Sequence, residues 1–131
     1  MSTPQTAVSN GLALVSIPVK DQEKSKQFYS EVLGFPVSRD SEFRPDARWI
    51  ELEIPGTATH ITLVTWFQDM RPGGVAGLVL HTNNADEAFQ TLQARGLNTS
   101  PVESAPWGRY LTFFDPDGNG WVLSEAQGEH K

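Results

Sequence analysis

The sequence predicts an α+β fold in which two βαβββ modules form a curved mixed sheet around a cleft, with the helices on the outer face. Two observations predict this class. Two amphipathic helical segments each follow one short β-like run and precede three more, so the order βαβββ occurs twice. Short segments also recur at equivalent places, since RWI at residues 48–50 corresponds to RYL at residues 109–111.

The chain of 131 residues suits one compact domain made of two small halves. We expect a single domain over residues 11–126, divided into module 1 (residues 11–66) and module 2 (residues 76–126). Residues 67–75 contain a Pro-Gly-Gly sequence and are predicted to link the modules. The tails are residues 1–10, predicted to be disordered, and residues 127–131.

Each module contains one predicted helix that begins after a capping residue. The first helix follows Asp21 and covers residues 22–33, and the second follows Asn84 and covers residues 85–95. Asp and Asn are good N-caps because their side chains accept hydrogen bonds from backbone N–H groups of the first turn. The apolar stripes consist of Phe28, Tyr29, Val32 and Leu33 in the first helix, and of Ala85, Ala88, Phe89 and Leu92 in the second.

Eight β-like runs surround these helices. In module 1 they cover residues 12–19, 35–39, 47–54 and 59–66. In module 2 they cover residues 77–82, 97–102, 108–114 and 120–125. Each helix therefore connects the first and second strands of its module.

Side chains alternate along a strand between two faces, and the residue types on these faces differ. Aliphatic residues mark the helix face, namely Ile50, Leu52, Ile54, Ile61 and Leu63. By the same alternation along its strand, Trp121 faces the helix side and is predicted to lie in the core. The opposite face, called the second face below, carries Trp49, Glu51, Glu53, His60, Thr62, Val64 and Trp66 in module 1. In module 2 it carries Gly77, Val79, His81, Tyr110, Thr112, Phe114, Val122 and Ser124. This mixture of aromatic, polar and ionisable groups is typical of a ligand cleft.

The composition excludes several classes of function. The sequence contains no cysteine, so disulfides, thiolate metal sites and cysteine nucleophiles are excluded. A net charge of -6 argues against a nucleic-acid partner. No apolar run approaches the roughly 20 residues that span a bilayer, and no secretory signal precedes the domain, so we expect a cytoplasmic protein without a membrane partner.

The segment DPDGNG, residues 115–120, resembles the start of a calcium loop but is predicted to be a turn between two strands. A calcium loop needs a bidentate Glu six residues after its Gly, and Ala126 occupies that position. The flanking runs FF and WVL favour strands, whereas a calcium loop is flanked by helices.

At the level of motifs, the chain resembles the vicinal oxygen chelate superfamily, which includes glyoxalase I, extradiol dioxygenases, and fosfomycin and bleomycin resistance proteins. The matching segments are VKDQEKSKQFYSEVLGF, GLVLHTNNADEAF and FFDPDGNGWVL, and the resemblance covers about residues 12–125. It implies the same paired βαβββ fold around a cleft.

The resemblance also locates the metal-ligand positions of the superfamily, where metal-using members carry His or Glu on the first and last strand of each module. Those positions correspond here to Leu14, Thr62, Gly77 and Val122. Leu, Gly and Val have no side-chain donor atom, so we expect no metal and no other cofactor at this site. The metal-dependent activities of the superfamily are accordingly not expected.

The resemblance then points to the members that bind a small molecule without metal, as bleomycin-binding proteins do, commonly as homodimers. We therefore expect a metal-independent protein that holds an aromatic or amphipathic ligand, an antibiotic among the candidates, in the cleft between modules. Aromatic side chains would stack on the ligand and carboxylates would meet its cationic or hydrogen-bond-donating part. The predicted ligand-binding residues are Trp49, Glu51, Glu53, His60, Thr62, Trp66, His81, Trp107 and Tyr110.

An enzyme of the same superfamily is the alternative. It would be a lyase, isomerase or dioxygenase with a general base or displaced metal ligands among Glu51, Glu53, His60 and His81. A regular hairpin places Glu53 opposite His60 and Glu51 opposite Thr62, which would allow a Glu53–His60 acid–base pair or a simple cross-strand contact. Arg48 and Arg109, at equivalent places in the two modules, are predicted to form surface ion pairs.

Overall fold

The computed structural model describes residues 5–126 and confirms the α+β class with its two βαβββ modules. Module 1 contains β1 (Leu14–Pro18), α1 (Gln22–Gln27), β2 (Val37–Arg44), β3 (Ala47–Glu53) and β4 (His60–Val64). Module 2 contains β5 (Leu78–His81), α2 (Ala85–Ala94), β6 (Glu103–Ala105), β7 (Gly108–Phe114) and β8 (Gly120–Ala126). Residues 1–4 of the predicted first tail and all of the second tail lie outside the described residues.

Each module forms its own four-stranded mixed sheet. The strand orders are β1-β4-β3-β2 and β5-β8-β7-β6, so the two sheets repeat one topology. In each sheet the first strand of the module pairs in parallel with the last, and the remaining pairs are antiparallel.

Both helices begin at the predicted caps. The Asp21 carboxylate accepts a hydrogen bond from the backbone N–H of Lys24 at 3.1 Å, and the Asn84 side chain accepts one from the backbone N–H of Glu87 at 3.0 Å. The first helix is α-helical only over Gln22–Gln27. It continues as a π-helical turn over Phe28–Val32, within the predicted range of residues 22–33.

The predicted position of the sixth strand is wrong. The sequence predicts it over residues 97–102, whereas the ladder with β7 covers Glu103–Ala105. Pro101 has no N–H to donate to a ladder. Next to it, the Ser100 hydroxyl rather than a backbone carbonyl accepts the hydrogen bond from the Thr112 N–H, at 2.9 Å. Regular pairing therefore begins only beyond this point.

The helix faces of both sheets contribute to one shared core. The predicted helix-face residues Ile50, Leu52, Ile61 and Leu63 are fully buried, Ile54 packs against them, and Trp121 is buried as predicted. Rings also meet across the module boundary, since the centroids of Tyr29 and Trp121 lie 5.8 Å apart and those of Phe28 and Phe113 lie 6.4 Å apart. Because the helix faces are buried in a common core, both second faces point away from it.

The DPDGNG turn joins the modules through a buried hydrogen-bond network. The Asp115 carboxylate accepts hydrogen bonds from the Tyr29 hydroxyl at 2.7 Å, from the Asn119 side chain at 2.8 Å, and from the backbone N–H groups of Asp117 and Asn119. Burial, with a further contribution from Asp115, raises the pKa of Tyr29, so this phenol stays a neutral donor. Trp121 in turn donates from Nε1 to the Tyr29 oxygen at 2.9 Å. The turn that resembles the start of a calcium loop therefore connects the two modules.

Two surface features complete the description. Arg48 contacts Asp40 at 2.6 Å and Glu23 at 3.0 Å, and Arg109 contacts Asp86 at 2.7 Å, which confirms the predicted ion pairs. None of the helices within residues 5–126 has the length and apolar character needed to cross a lipid bilayer.

Candidate functional site

The hairpin of β3 and β4 supplies the second face of module 1. Glu51 pairs with Thr62 and Glu53 with His60 across the two strands, as the hairpin register predicts. The alternation of side chains then places these four residues on one side of the sheet, together with Trp49.

A hydrogen-bonded cluster centred on Glu51 lies on this face. The His60 Nδ1 atom is 2.6 Å from one Glu51 carboxylate oxygen, and the Trp49 indole Nε1–H donates to the other at 3.0 Å. The bond from Trp49, with a further contribution from His60, lowers the pKa of Glu51 below its ordinary value. At neutral pH the carboxylate is therefore ionised and both of its oxygens are engaged.

The partner of His60 differs from the predicted acid–base pair. Glu53 lies directly opposite His60 in the register, but the imidazole contacts the diagonal residue Glu51. Diagonal neighbours on one face of an antiparallel pair are within reach of long side chains. Glu53 lies at the exposed end of β3, where solvation of its carboxylate competes with pairing.

Two aromatic rings flank the cluster. Trp49 stacks on Trp66, with ring centroids 6.1 Å apart and an interplanar angle of 22°. Both side chains are half-buried, and Trp66 follows the end of β4. The stack places a flat aromatic surface next to the Glu51–His60 pair.

Thr62 lies at the base of the same face. It is buried, with 2% of its surface exposed, and its strand neighbours are Ser16 on β1 and Glu51 on β3. Its hydroxyl is the single buried side-chain polar atom in the described part of the chain without a hydrogen-bond partner. Burying a hydroxyl without a hydrogen-bond partner is costly, so Thr62 carries a local penalty on this face.

The second face of module 2 is aromatic and open. Trp107 and Tyr110 lie with ring centroids 5.1 Å apart. Trp107, Val79 and Phe114 are 54%, 62% and 63% exposed. The alternation of side chains along their strands places Val79 and Phe114 on this face. The sequence did not identify them as site residues, because their high exposure becomes visible only in the structure.

The predicted site residues thus fall into separate groups. Module 1 brings together Trp49, Glu51, His60, Thr62 and Trp66, and module 2 brings together Trp107 and Tyr110. Glu53 and His81 are exposed, and no described side-chain contact within residues 5–126 joins them to either group.

An apolar groove of about 450 Å³ opens between the two modules. It lies on the side of the chain where β1 and β5 form the free edges of their sheets. The lining residues include Leu12, Val15, Leu78, Val79, Leu80 and Leu123.

Four positions of this chain correspond to the metal-ligand positions of the superfamily, but the residues present there do not fit a metal ion. Leu14 and Val122 sit on β1 and β8 and Gly77 precedes β5, and none of these side chains carries a donor atom. Thr62 offers one neutral hydroxyl, a weak ligand for a divalent ion. Within residues 5–126, no three His, Asp or Glu side chains come together in an arrangement that could hold a metal.

Comparison with known proteins identifies the family. The model of the Glyoxalase/Bleomycin resistance protein/Dioxygenase superfamily matches residues 11–123. The chain belongs to this superfamily. The match covers both modules, in agreement with the duplicated topology.

The chain is also similar to solved structures and to a curated relative. The chain is similar to TnmS3, an antibiotic binding protein from Streptomyces sp. CB03234, with a TM-score of 0.86 and 38% identity over 93% of this chain and 100% of that one. A superfamily member from Sphaerobacter thermophilus DSM 20745 has a TM-score of 0.81 and 38% identity over 91% of this chain and 99% of that one. The uncharacterized protein YetH of Bacillus subtilis (strain 168) is 29% identical over 118 residues, which are 87% of this chain and 97% of YetH.

Proposed function

We propose that this protein is a cytoplasmic, metal-independent small-molecule-binding protein that works as a homodimer. Its ligand is aromatic or amphipathic, with antibiotics as one class, and binds between module 1 of one copy and module 2 of the other. The main observation in support is that each second face bears aromatic and hydrogen-bonding groups and points away from the core that the modules share. The similarity to TnmS3 supports an antibiotic as the ligand.

The positions of the two faces support the proposed dimer. A second copy related by a twofold axis can bring its module 2 against module 1 of the first copy, and the same axis forms an equivalent cleft on the other side. The groove between β1 and β5, whose lining includes the exposed Val79, offers apolar surface for this contact. Exposed apolar surface of this kind is typical of an interaction site.

The side chains that would line the cleft support an aromatic or amphipathic ligand. The Trp49–Trp66 stack and the Trp107–Tyr110 pair provide flat aromatic surfaces from opposite modules. A ring system held between them would gain roughly 1 kcal/mol for each aromatic contact, beyond the area it buries. The residues predicted from the sequence stay candidates for these contacts.

The enzyme alternative has one supporting observation. An imidazole oriented by a carboxylate, as His60 is by Glu51, can act as a general base in a lyase or isomerase. The version with displaced metal ligands lacks a suitable group of His, Asp and Glu within residues 5–126. Chromatography of a ligand incubated with the protein would distinguish the two alternatives. An enzyme would convert the ligand to product, whereas a binding protein would leave it unchanged.

Light scattering tests the dimer. We expect twice the mass of one chain, and Val79→Glu should reduce it to a single chain and weaken ligand binding, because a charge would be buried in the interface. Val8→Glu is the matched control, since Val8 is fully exposed in the N-terminal segment. A wild-type protein that stays monomeric while binding ligand would contradict the shared cleft.

Two further measurements test ligand binding and metal independence. Tryptophan fluorescence should change on titration with some members of a panel of planar and cationic compounds, and no response across the panel would contradict the proposal. Elemental analysis of protein purified without chelators should find no stoichiometric divalent ion. A full equivalent of such an ion would contradict metal independence and favour the enzyme.

A further inference from the structure

His60 carries a polar atom that the described residues leave available. Its Nδ1 atom contacts Glu51, and no hydrogen bond to its Nε2 atom is present within residues 5–126. The side chain is 28% exposed, so part of the imidazole is open to a molecule that binds on the second face of module 1. Holding one ring nitrogen fixes the direction in which the other points.

The partner of Nδ1 decides the chemistry of Nε2. An ionised carboxylate can only accept hydrogen bonds, so Nδ1 must carry the proton in its bond to Glu51. In the neutral imidazole, Nε2 then has a lone pair and accepts a hydrogen bond. The Trp49–Trp66 stack places aromatic surface beside this acceptor.

We propose that His60 Nε2 accepts a hydrogen bond from a hydroxyl group on an aromatic ring of the ligand, and that Glu51 is the positioning residue that orients His60. This inference rests on the proposed function, and it specifies the ligand class as a planar phenol-type compound. The ring stacks on the tryptophan surface while its hydroxyl points to His60.

The engagement of Glu51 favours a hydroxyl over a cation. Each Glu51 oxygen already accepts a hydrogen bond, from Trp49 or from His60, so a cation at this carboxylate would compete with donors that are already in place. An uncharged hydroxyl on a planar ring can donate to His60 Nε2 without displacing either of the donors that Glu51 holds.

Three probes of the same shape test the inference: hydroxycoumarin, its methyl ether, and an aminomethylcoumarin with a positive charge. Their dissociation constants are measured at neutral pH from the indole N–H signals in NMR spectra of the full chain. The wild-type protein should bind hydroxycoumarin roughly 10-fold more tightly than the ether, the effect of one hydrogen bond of about 1.4 kcal/mol. The cationic probe should show no advantage over the ether.

Two matched pairs of variants assign the effect to residues. His60→Phe should bring the ratio between the hydroxyl and ether probes close to unity, whereas Gln90→Phe, at an exposed position of α2 outside the proposed site, should leave it unchanged. Glu51→Gln should lower the ratio while binding of the ether stays the same. Glu42→Gln, at an exposed position of β2 outside the proposed site, should change neither value.

The outcomes separate this inference from the proposed function. If the probes bind without preference for the hydroxyl, or if the cation binds best, the inference is overturned and the binding function stands. If no probe moves any indole signal, the inference is overturned, and the wider panel of planar and cationic compounds decides the binding function. The ratio in the wild-type protein decides even where a variant fails to fold, because a ratio near unity overturns the inference by itself.

Discussion

Strands β3 (Ala47–Glu53) and β7 (Gly108–Phe114) hold equivalent places in the two modules, and buried and exposed residues follow one another in the same order along both. Their helix-face residues are similar, whereas their second-face residues differ in chemistry. The second-face residues are Trp49, Glu51 and Glu53 in β3, and Tyr110, Thr112 and Phe114 in β7. The shared core restricts the helix face to apolar side chains of fitting volume, while the second face is free to diverge. Module 1 thus offers polar anchoring, and module 2 offers apolar aromatic surface.

The turns after these strands differ in the same manner. The turn after β7 carries the buried Asp115 network that reaches Tyr29 in the other module. The turn after β3 is exposed, and its Thr57 hydroxyl makes only local hydrogen bonds. Of these two equivalent turns, we therefore expect the one after β7 to contribute more to stability, because its hydrogen bonds reach the other module.

The largest effect is expected from removing the Asp115 hydrogen-bond network. Asp115→Ala should lower the free energy of unfolding by about 4 kcal/mol, because several buried donors lose their acceptor together. Thr57→Ala in the equivalent turn should cost less than about 1 kcal/mol, because water replaces its hydrogen bonds. Urea unfolding at neutral pH measures both values. Equal losses would show that the Asp115 network is not the main connection between the modules.

The next effect tests whether the two helix faces contribute equally to the core. Ile50 and Leu111 are equivalent residues and are both fully buried. Truncation of either to Ala should cost about 3 kcal/mol, from lost burial and the cavity that remains. Urea midpoints of the two variants should agree, and one cooperative transition should persist in each. A loss below about 1 kcal/mol in one variant would mean that its module does not share the core.

A smaller effect distinguishes the modules by acid sensitivity. Hydrogen bonds from Arg48 lower the pKa of Asp40 in module 1 from 3.8 to about 2. The ionised form is favoured in the folded state, so its contribution is complete above pH 3.8 and is lost as the pH falls towards about 2. Asp40→Asn should therefore cost less than about 1 kcal/mol at neutral pH, given its partial exposure. The variant should also show a smaller loss of stability on acidification across this range, measured by thermal unfolding. An unchanged acid profile would contradict the assignment.

The smallest effect concerns the equivalent pair in module 2. Arg109 contacts Asp86, whose side chain is 66% exposed, so solvent screens the attraction. Arg109→Ala should change the free energy of unfolding by less than about 0.5 kcal/mol. Arg48→Ala should cost more, because Arg48 contacts both Asp40 and Glu23. The reverse order would show that the two ion pairs do not differ as their geometry indicates.

Much of the fold was predictable from local signals. The caps at Asp21 and Asn84 and the register of β3 against β4 all follow from short-range patterns. The sixth strand was not predictable, since Ser100 and Pro101 interrupt its ladder in a manner that depends on β7.

The candidate site was predictable in part. Parity placed Trp49, Glu51 and His60 on one face, but direct cross-strand pairing suggested Glu53 as the partner of His60. Side-chain reach along the diagonal, and the competing solvation at the strand end, selected Glu51 instead.

The amino-acid sequence by itself determined the duplicated βαβββ order, the side chains assigned to each face, and the lack of donor atoms at three of the four metal positions, because these depend on residue type and spacing along the chain. Only the tertiary structure decided that both helix faces share one core and that the second faces point away from it. It also decided that Asp115 joins the modules and that Glu51 holds His60. These features depend on contacts between residues far apart in the chain, and local periodicity carries no information about such contacts.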